Sequence, residues 1–471
     1  MRPDQNMNSS LRLCRALCAC VAAILTAGCS LVHYHVNDPL PVYQPDHGYS
    51  ISSANLGPGD GRIFMVLMFS GGGARSAALG YGVLEELARN RFVANGRPMR
   101  LFDEVDLVYG VSGGSILAAY YGLHGERVLQ DFDKRFLSLD FQDKIVSRVI
   151  SLSNQWRLTS PRFGRSDLFE EQLDEVLFGK ATFGDMAQGR KGPFVIISAT
   201  DMSSGSRFDF TQETFDLICS DLSSFPISRA VAASSAVPLL FSPVTLWNYA
   251  GSCDYQVPDA MRLAAEGTAR SRLAAASRTR SRELLSYLER DKRPYIHLLD
   301  GGLADNLSIR GLLDLEAVMD SEEVRRDFRL QEMTKFVMVV VNAQNDPAHT
   351  IDHNADVPGF KDVIRAVGDI PIARYTQESE RVIQTAFDRW RESAKQEAAK
   401  EGRKPPQMYY INIALKNMPD ETQRDALLNV PTSLYLPKQT VRDLRGAATT
   451  LLQASPDFRQ LLQDLAAERR D

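Results

Sequence analysis

The sequence predicts an α/β protein. Three observations carry that reading: two apolar runs each stop at a cluster of glycines and give way to residues at helical spacing, and a third ends in an aspartate followed by two glycines. Repeated strand–turn–helix units build mainly parallel sheets covered by helices, with the functional groups gathered on the turns.

The first unit begins at Ile63. Residues Ile63 to Phe69 are almost purely apolar, as expected of a strand buried on both faces, and they stop at Ser70, Gly71, Gly72, Gly73, Ala74, Arg75. Leu79, Val83, Leu84 and Leu87 then recur at helical spacing. Successive small residues let main-chain N–H groups converge on one point, which suits a phosphate or an oxyanion equally. A dinucleotide fingerprint needs a third glycine where Ser76 stands and an acid further on, and a GxxxxGK phosphate loop is absent from the chain. An oxyanion-stabilising loop is the reading left standing.

The second unit supplies a nucleophile for that loop. Phe102, Val105, Leu107, Val108 and Tyr109 lead directly into Gly110, Val111, Ser112, Gly113, Gly114, and Ile116 to Tyr120 read as the following helix. A strand that turns at once into a helix, with glycines on both sides of a serine, exposes the hydroxyl on a sharp elbow. The helix N-terminus there also favours developing negative charge. The third run, Tyr295, Ile296, Leu298 and Leu299, presents Asp300 ahead of Gly301 and Gly302. An exposed aspartate, with an ordinary pKa of about 3.9, is a poor general base, so the site is expected to be partly dry.

The remaining elements fall around these three. An insertion from Leu123 to Lys191 carries Ser166 as an expected N-cap, Leu168, Phe169, Leu173, Val176 and Leu177 on one helical face and Gly179 as the stop, and it suits a lid. A second, helical insertion over Ala260 to Arg293 carries Arg262, Arg270, Arg272, Arg278, Arg280, Arg282 and Arg290, expected on a solvated face or facing anionic headgroups. Phe336 to Val341 reads as a buried strand, Val382, Ile383, Phe387 and Trp390 as an amphipathic helix, Met408 to Leu415 as a strand and Val441 to Leu452 as a helix.

GGGAR followed by GVSGGS and DGG resembles the patatin-like phospholipases. IISATDMSSG from Ile196 and AASSAVPLLF from Ala232 extend the resemblance, which runs from about Ile63 to Leu312. It implies a three-layer α/β/α sandwich around a mainly parallel sheet, with helical insertions, and a serine lipid acyl hydrolase that uses a Ser-Asp dyad without histidine or cofactor. Carried over by residue, Ser112 is the nucleophile, Asp300 the base, Gly71, Gly72, Gly73 and Arg75 the oxyanion loop, and Gly110, Gly113 and Gly114 the elbow. One departure stands out: Ser76 occupies a position where the family usually has glycine. The alternative within esterases is a triad completed by His349 or His353, in nucleophile, acid, histidine order. His124, His297 and Asp201 receive no catalytic role. An alternative from another class is a noncatalytic lipoprotein scaffold that keeps the fold for binding a partner.

The N-terminus sets an address. Arg2, Arg12 and Arg15 precede the apolar stretch Ala16 to Leu25, too short for a membrane span, and Leu25, Thr26, Ala27, Gly28, Cys29 follows. This resembles a bacterial lipobox, which implies lipidation of Cys29, and Ser30 after it implies sorting to the outer membrane, facing the periplasm. Of six cysteines, Cys14, Cys18 and Cys20 leave with the leader, so Cys219 and Cys253 are a pair available for a disulfide. The domain expectation is 1–28 signal peptide, 29–62 tether, 63–312 catalytic core with insertions at about 123–191 and 252–293, and 313–471 a C-terminal α/β extension packing on that core. A net charge of −5 gives no support to nucleic-acid binding, and no His/Cys cluster has the spacing of a metal site. Phospholipid or another acyl-ester lipid is the expected substrate.

Overall fold

Strands that are buried on both faces set the architecture. The computed structural model describes residues 32–45, 47–51, 54, 62–189, 191–267, 272–319, 333–346 and 355–468. Its strands are β1 (Ile63–Phe69), β2 (Arg91–Ala94), β3 (Arg97–Arg100), β4 (Val105–Val111), β5 (Phe194–Asp201), β6 (Arg207–Asp209), β7 (Val244–Trp247), β8 (Tyr295–Leu299), β9 (Lys335–Asn342) and β10 (Gln407–Ala414). Eight of them form one sheet in the order β10-β9-β1-β4-β5-β8-β7, with β6 on β5, while β2 and β3 pair as a separate hairpin. From β10 to β5 every neighbour is parallel; β8, β7 and β6 join antiparallel. This is the mainly parallel sheet the sequence predicts.

Every residue of β1, β5 and β9 is buried, which requires a layer on each face. Register says which helices supply it. Phe64 pairs with Phe336 across β1 and β9, and Phe336 stacks on Phe387 of the long helix Phe360–Glu401. Phe69, five residues on and therefore on the opposite face, lies against Gly80 of α1 (Ala74–Arg89), where an added Cβ would meet Phe69 Cδ1 at 3.0 Å. The helix after β4, α2 (Gly113–His124), completes that layer, together with α3 (Phe141–Ile150), α4 (Arg165–Leu173), α5 (Ile227–Ser234) and, after the long helix, here α6, the C-terminal α7 (Lys438–Ala454).

Three segments differ from the sequence expectation. Residues 32–51, expected as a tether, are a strap fastened to the body. Asn37 accepts from Trp247 N–H and donates to Ser220 Oγ, Leu40 is buried beside the Cys219–Cys253 disulfide, and the Tyr49 hydroxyl accepts from Val195 N–H. Composition rich in Pro, Gly and Asn reports extended backbone, and extended backbone can be stitched down residue by residue. The insertion 123–191 is no separate lid, because Phe132, Phe136, Phe141 and Phe169 are fully buried in the main core. Its Ser166 lies one residue inside α4, where its N–H and hydroxyl bond Ser242, and Gly179 ends the next turn at φ 61. The C-terminal part is no extension either. β9 lies directly beside β1 and β10 beside β9, so these two strands supply one flank of the central sheet itself. Cys29, His349 and His353 lie outside the described residues.

Candidate active site

The sheet register brings two side chains 188 residues apart into contact. Val111 pairs with Ser198, and Thr200 pairs with Leu299, so the residues just after β4 and β8 meet across the end of β5. Ser112 Oγ donates a hydrogen bond to Asp300 Oδ2 at 2.8 Å. Both residues are buried.

Ser112 sits at φ 52, ψ −125, a backbone conformation that a side-chain-bearing residue rarely adopts and that costs on the order of 1–3 kcal/mol. The surroundings enforce it. A Cβ on Gly113 would meet Gly73 O at 2.0 Å, and one on Gly114 would meet Phe69 O at 2.5 Å, so glycine is needed where the elbow touches the preceding loop. The Ser112 carbonyl accepts from Ser115 Oγ at 2.7 Å.

Asp300 is held at four points. Its N–H donates to Ala236 O (3.0 Å), its carbonyl accepts from Thr200 Oγ1 (2.8 Å), Oδ1 accepts from Gly302 N–H (2.8 Å), and Oδ2 accepts from Ser112. Burial pushes its carboxyl up to about 6, and the hydrogen bonds from Gly302 and Ser112 pull it back only in part. A carboxylate with that affinity for a proton is a far better base than an exposed one.

The glycine loop divides its labour. Gly71 N–H donates to Asn306 O at 3.0 Å and Ala74 N–H to Ser433 O at 2.7 Å, so both are already spent. Gly71, grouped with the oxyanion donors on sequence, is a positioning residue instead: a Cβ there would meet Asn306 Oδ1 at 2.5 Å. Gly72 (φ 133) and Gly73 (φ 62), between them, have no N–H acceptor among the described residues. Arg75, also grouped with the oxyanion loop, is turned into the protein at 1% exposure. Its guanidinium donates to Ala343 O (2.6 Å), Val430 O (2.5 Å) and Thr432 Oγ1 (3.1 Å), which consumes it in binding the loop to the C-terminal segment. Burial lowers its pKa to about 10, leaving it cationic at neutral pH. Ser76, the departure from glycine, turns its hydroxyl back onto Ser70 O and closes the loop from within.

Sequence reasoning passed over Ser234. Its hydroxyl accepts Ser112 N–H at 2.9 Å and donates to Ser198 O at 2.7 Å, while its carbonyl accepts Gly301 N–H at 3.0 Å. One buried serine thus ties the elbow, β5 and the aspartate turn together. It stands in AASSAVPLLF beside Ser235, and nothing in the segment distinguishes the two hydroxyls. Thr200, whose hydroxyl spans Asp300 O and Ala304 N–H, was equally hidden in IISATDMSSG.

The other titratable residues have other partners. His297 Nδ1 lies 3.0 Å from Thr245 Oγ1, and His124 Nε2 lies 3.3 Å from Leu177 O. No described histidine bonds Ser112 or Asp300. Asp201 is buried against Arg293 and Tyr287. In the basic insertion Arg280 is clasped by Asp209 and Asp314, while Arg262, Arg282 and Arg290 are exposed, as on a solvated face. Among the described residues no cluster of His, Cys, Asp and Glu suits a metal ion.

The fold and site together define an α/β protein with a buried Ser-Asp pair at the carboxyl ends of β4 and β8, beside a glycine loop. The family model for patatin-like phospholipases matches residues 67–313, more than half of the chain, and the protein belongs to that family. No curated protein matches it. Among solved structures, human GIVD cytosolic phospholipase A2 aligns over 94% of this chain and 65% of its own, at 11% identity and a TM-score of 0.42. VipD from Legionella pneumophila aligns over 91% of this chain and 72% of its own, at 13% identity and a TM-score of 0.32. The chain thus spans about two thirds of the length of that human phospholipase.

Proposed function

We propose that the protein is a serine lipid acyl hydrolase of phospholipase A type working through a Ser112–Asp300 dyad. The observation that carries this reading is the 2.8 Å hydrogen bond from Ser112 Oγ to a carboxylate whose pKa is raised to about 6. Ser112 Oγ attacks the ester carbonyl carbon while its proton passes to Asp300 Oδ2. The tetrahedral oxyanion is taken up by the N–H groups of Gly72 and Gly73. Collapse breaks the bond to the alcohol, which leaves with the proton from Asp300. Water then gives a proton to Asp300 and attacks the acyl-serine, releasing the fatty acid and restoring the dyad.

The protein is further proposed to be an outer-membrane lipoprotein facing the periplasm, anchored through Cys29, with phospholipids as substrate. The lipobox-like run before Cys29 supports this, as does the Cys219–Cys253 disulfide, a bond that persists in oxidising compartments. Among the described residues no helix is long and apolar enough to cross a membrane.

A fluorophosphonate probe tests the chemistry. Wild type is expected to be labelled and Ser112→Ala not. Asp300→Ala is expected to lose ester turnover and His349→Ala/His353→Ala to keep it; the reverse pattern would replace the dyad by a triad. Absence of labelling in a folded wild type would leave the scaffold reading.

A further inference from the structure

The strap fixes where a lipid on Cys29 can reach. Val32, three residues on, is already fastened, its carbonyl accepting from Ser160 Oγ at 2.6 Å, and Tyr34 N–H donates to Arg162 O at 2.6 Å. Three residues span at most about 10 Å. A bilayer holding that anchor therefore lies against the face that carries Ser160 and Arg162.

The chain around this fastening point has an unusual surface. From Lys144 to Ser166 there are five basic residues and no acid, in a protein of net charge −5. Arg148 and Arg157 are paired with Glu175 and Glu171, while Lys144 and Arg162 are exposed to solvent. Within the same stretch Val146 and Ile150, and then Leu152 and Trp156, form two i,i+4 pairs on consecutive short helices, and all four side chains are exposed, Leu152 by 91%. Leaving large apolar side chains in water beside unpaired cations is unfavourable for a free surface and favourable against an anionic lipid headgroup layer, where tryptophan also partitions.

The same stretch runs on to the active site. Ser166 N–H bonds Ser242 Oγ at 3.1 Å and Phe169 stacks on Phe241 at 4.8 Å. Immediately before them, Leu239 and Leu240 are 59% and 63% exposed, with Leu239 held at φ 71. That turn starts from Ala236, whose carbonyl accepts the Asp300 N–H. Anchor point, basic apolar helices and the exposed leucine turn are thus linked, contact by contact, to the dyad.

We propose that Leu152, Trp156, Leu239 and Leu240, flanked by Lys144 and Arg162, form the surface by which this protein sits on the anionic bilayer that holds its anchor, with the dyad at the lipid boundary. The inference rests on the lipoprotein and acyl-hydrolase reading above and names its docking face. It commits to lipid as the occupant.

The test uses the full-length protein in vesicles of phosphatidylethanolamine and phosphatidylglycerol carrying bromine on their acyl chains. Brominated chains are expected to quench a component of the fluorescence that is missing in Trp156→Phe, and to do so equally in Ser112→Ala, so the readout needs no turnover. Leu152→Asp and Leu240→Asp are each expected to lower hydrolysis of vesicle lipid, relative to a monomeric short-chain ester, roughly tenfold or more. Val367→Asp, on a separate exposed apolar stripe of α6, is expected to leave that ratio near wild type. Vesicle-bound protein whose Trp156 escapes bromine quenching overturns the proposal. So does a ratio that falls with Val367→Asp and not with Leu152→Asp, or a lipid-free dimer that Leu152→Asp dissociates, which makes the face a self-association surface. Failure of the hydrolase reading shows separately, as a wild type that leaves the monomeric ester intact.

Discussion

At the scale of single residues, Asp300 links chemistry to stability through one proton. As the proposed base it must be deprotonated, so kcat/KM on a monomeric ester is expected to rise with pH through about 6 and level off above, which a pH–rate profile measures. Stability runs the other way. The folded pKa lies above the ordinary carboxylate value, so the native state binds the proton more tightly than the unfolded chain. Asp300 is therefore stability-neutral below about pH 4, and its destabilising effect grows as pH rises to about 6 and is complete above. Asp300→Asn, which keeps an acceptor for Gly302 and a donor for Ser112, is expected to be inactive and more stable at pH 7 by on the order of 2–3 kcal/mol. The gain should vanish below pH 4, as denaturant unfolding at the two pH values would report. Ser234→Ala tests the residue that joins the loops. It strands the Ser112 N–H and the Ser198 carbonyl in a buried site, costing about 1–3 kcal/mol of stability. It is expected to lower kcat about tenfold or more with little change in KM, since it touches alignment and not substrate; an unchanged kcat would remove its positioning role.

At the scale of elements, the turns that carry Ser112, Asp300 and the glycine loop are legible in sequence because their constraints are local. Glycine at 113 and 114 is demanded by carbonyls 2.0 and 2.5 Å from a would-be Cβ, so Gly113→Ala is expected to destroy the elbow and abolish activity even if circular dichroism shows a folded chain. The strap was not legible, because its partners, Ser220, Trp247 and Val195, are contributed by distant strands and loops. Its fastening includes the disulfide region, where Leu40 packs on Cys219 and Cys253. Reduction opens a loop closed over 34 residues and is expected to cost about 2–4 kcal/mol, visible as a lower melting temperature in reductant that Cys219→Ser reproduces.

For the whole molecule, the decisive feature is that the C-terminal third completes the sheet. β9 is buried along its full length and covered on one edge by β10, and Arg75 reaches from the glycine loop to carbonyls at 343 and 430. A chain ending before Gln407 is expected to expose β9 as a flat apolar edge and to aggregate, checked by soluble yield and size-exclusion chromatography. Recovery of a folded, active protein from such a truncation would show that the sheet holds without β10.

The sequence by itself determined the α/β class and the positions of Ser112, Asp300 and Gly72–Gly73 on their turns. Each of these is encoded within a dozen neighbouring residues by apolar runs and by glycines at points of close approach. Only the tertiary structure decided that Ser112 and Asp300 close to 2.8 Å, that Gly71 and Arg75 spend their donors on holding the loop in place, and that Ser234 ties the elbow, β5 and the aspartate turn together. Those outcomes depend on strand register and on partners hundreds of residues away, and no local pattern carries that information.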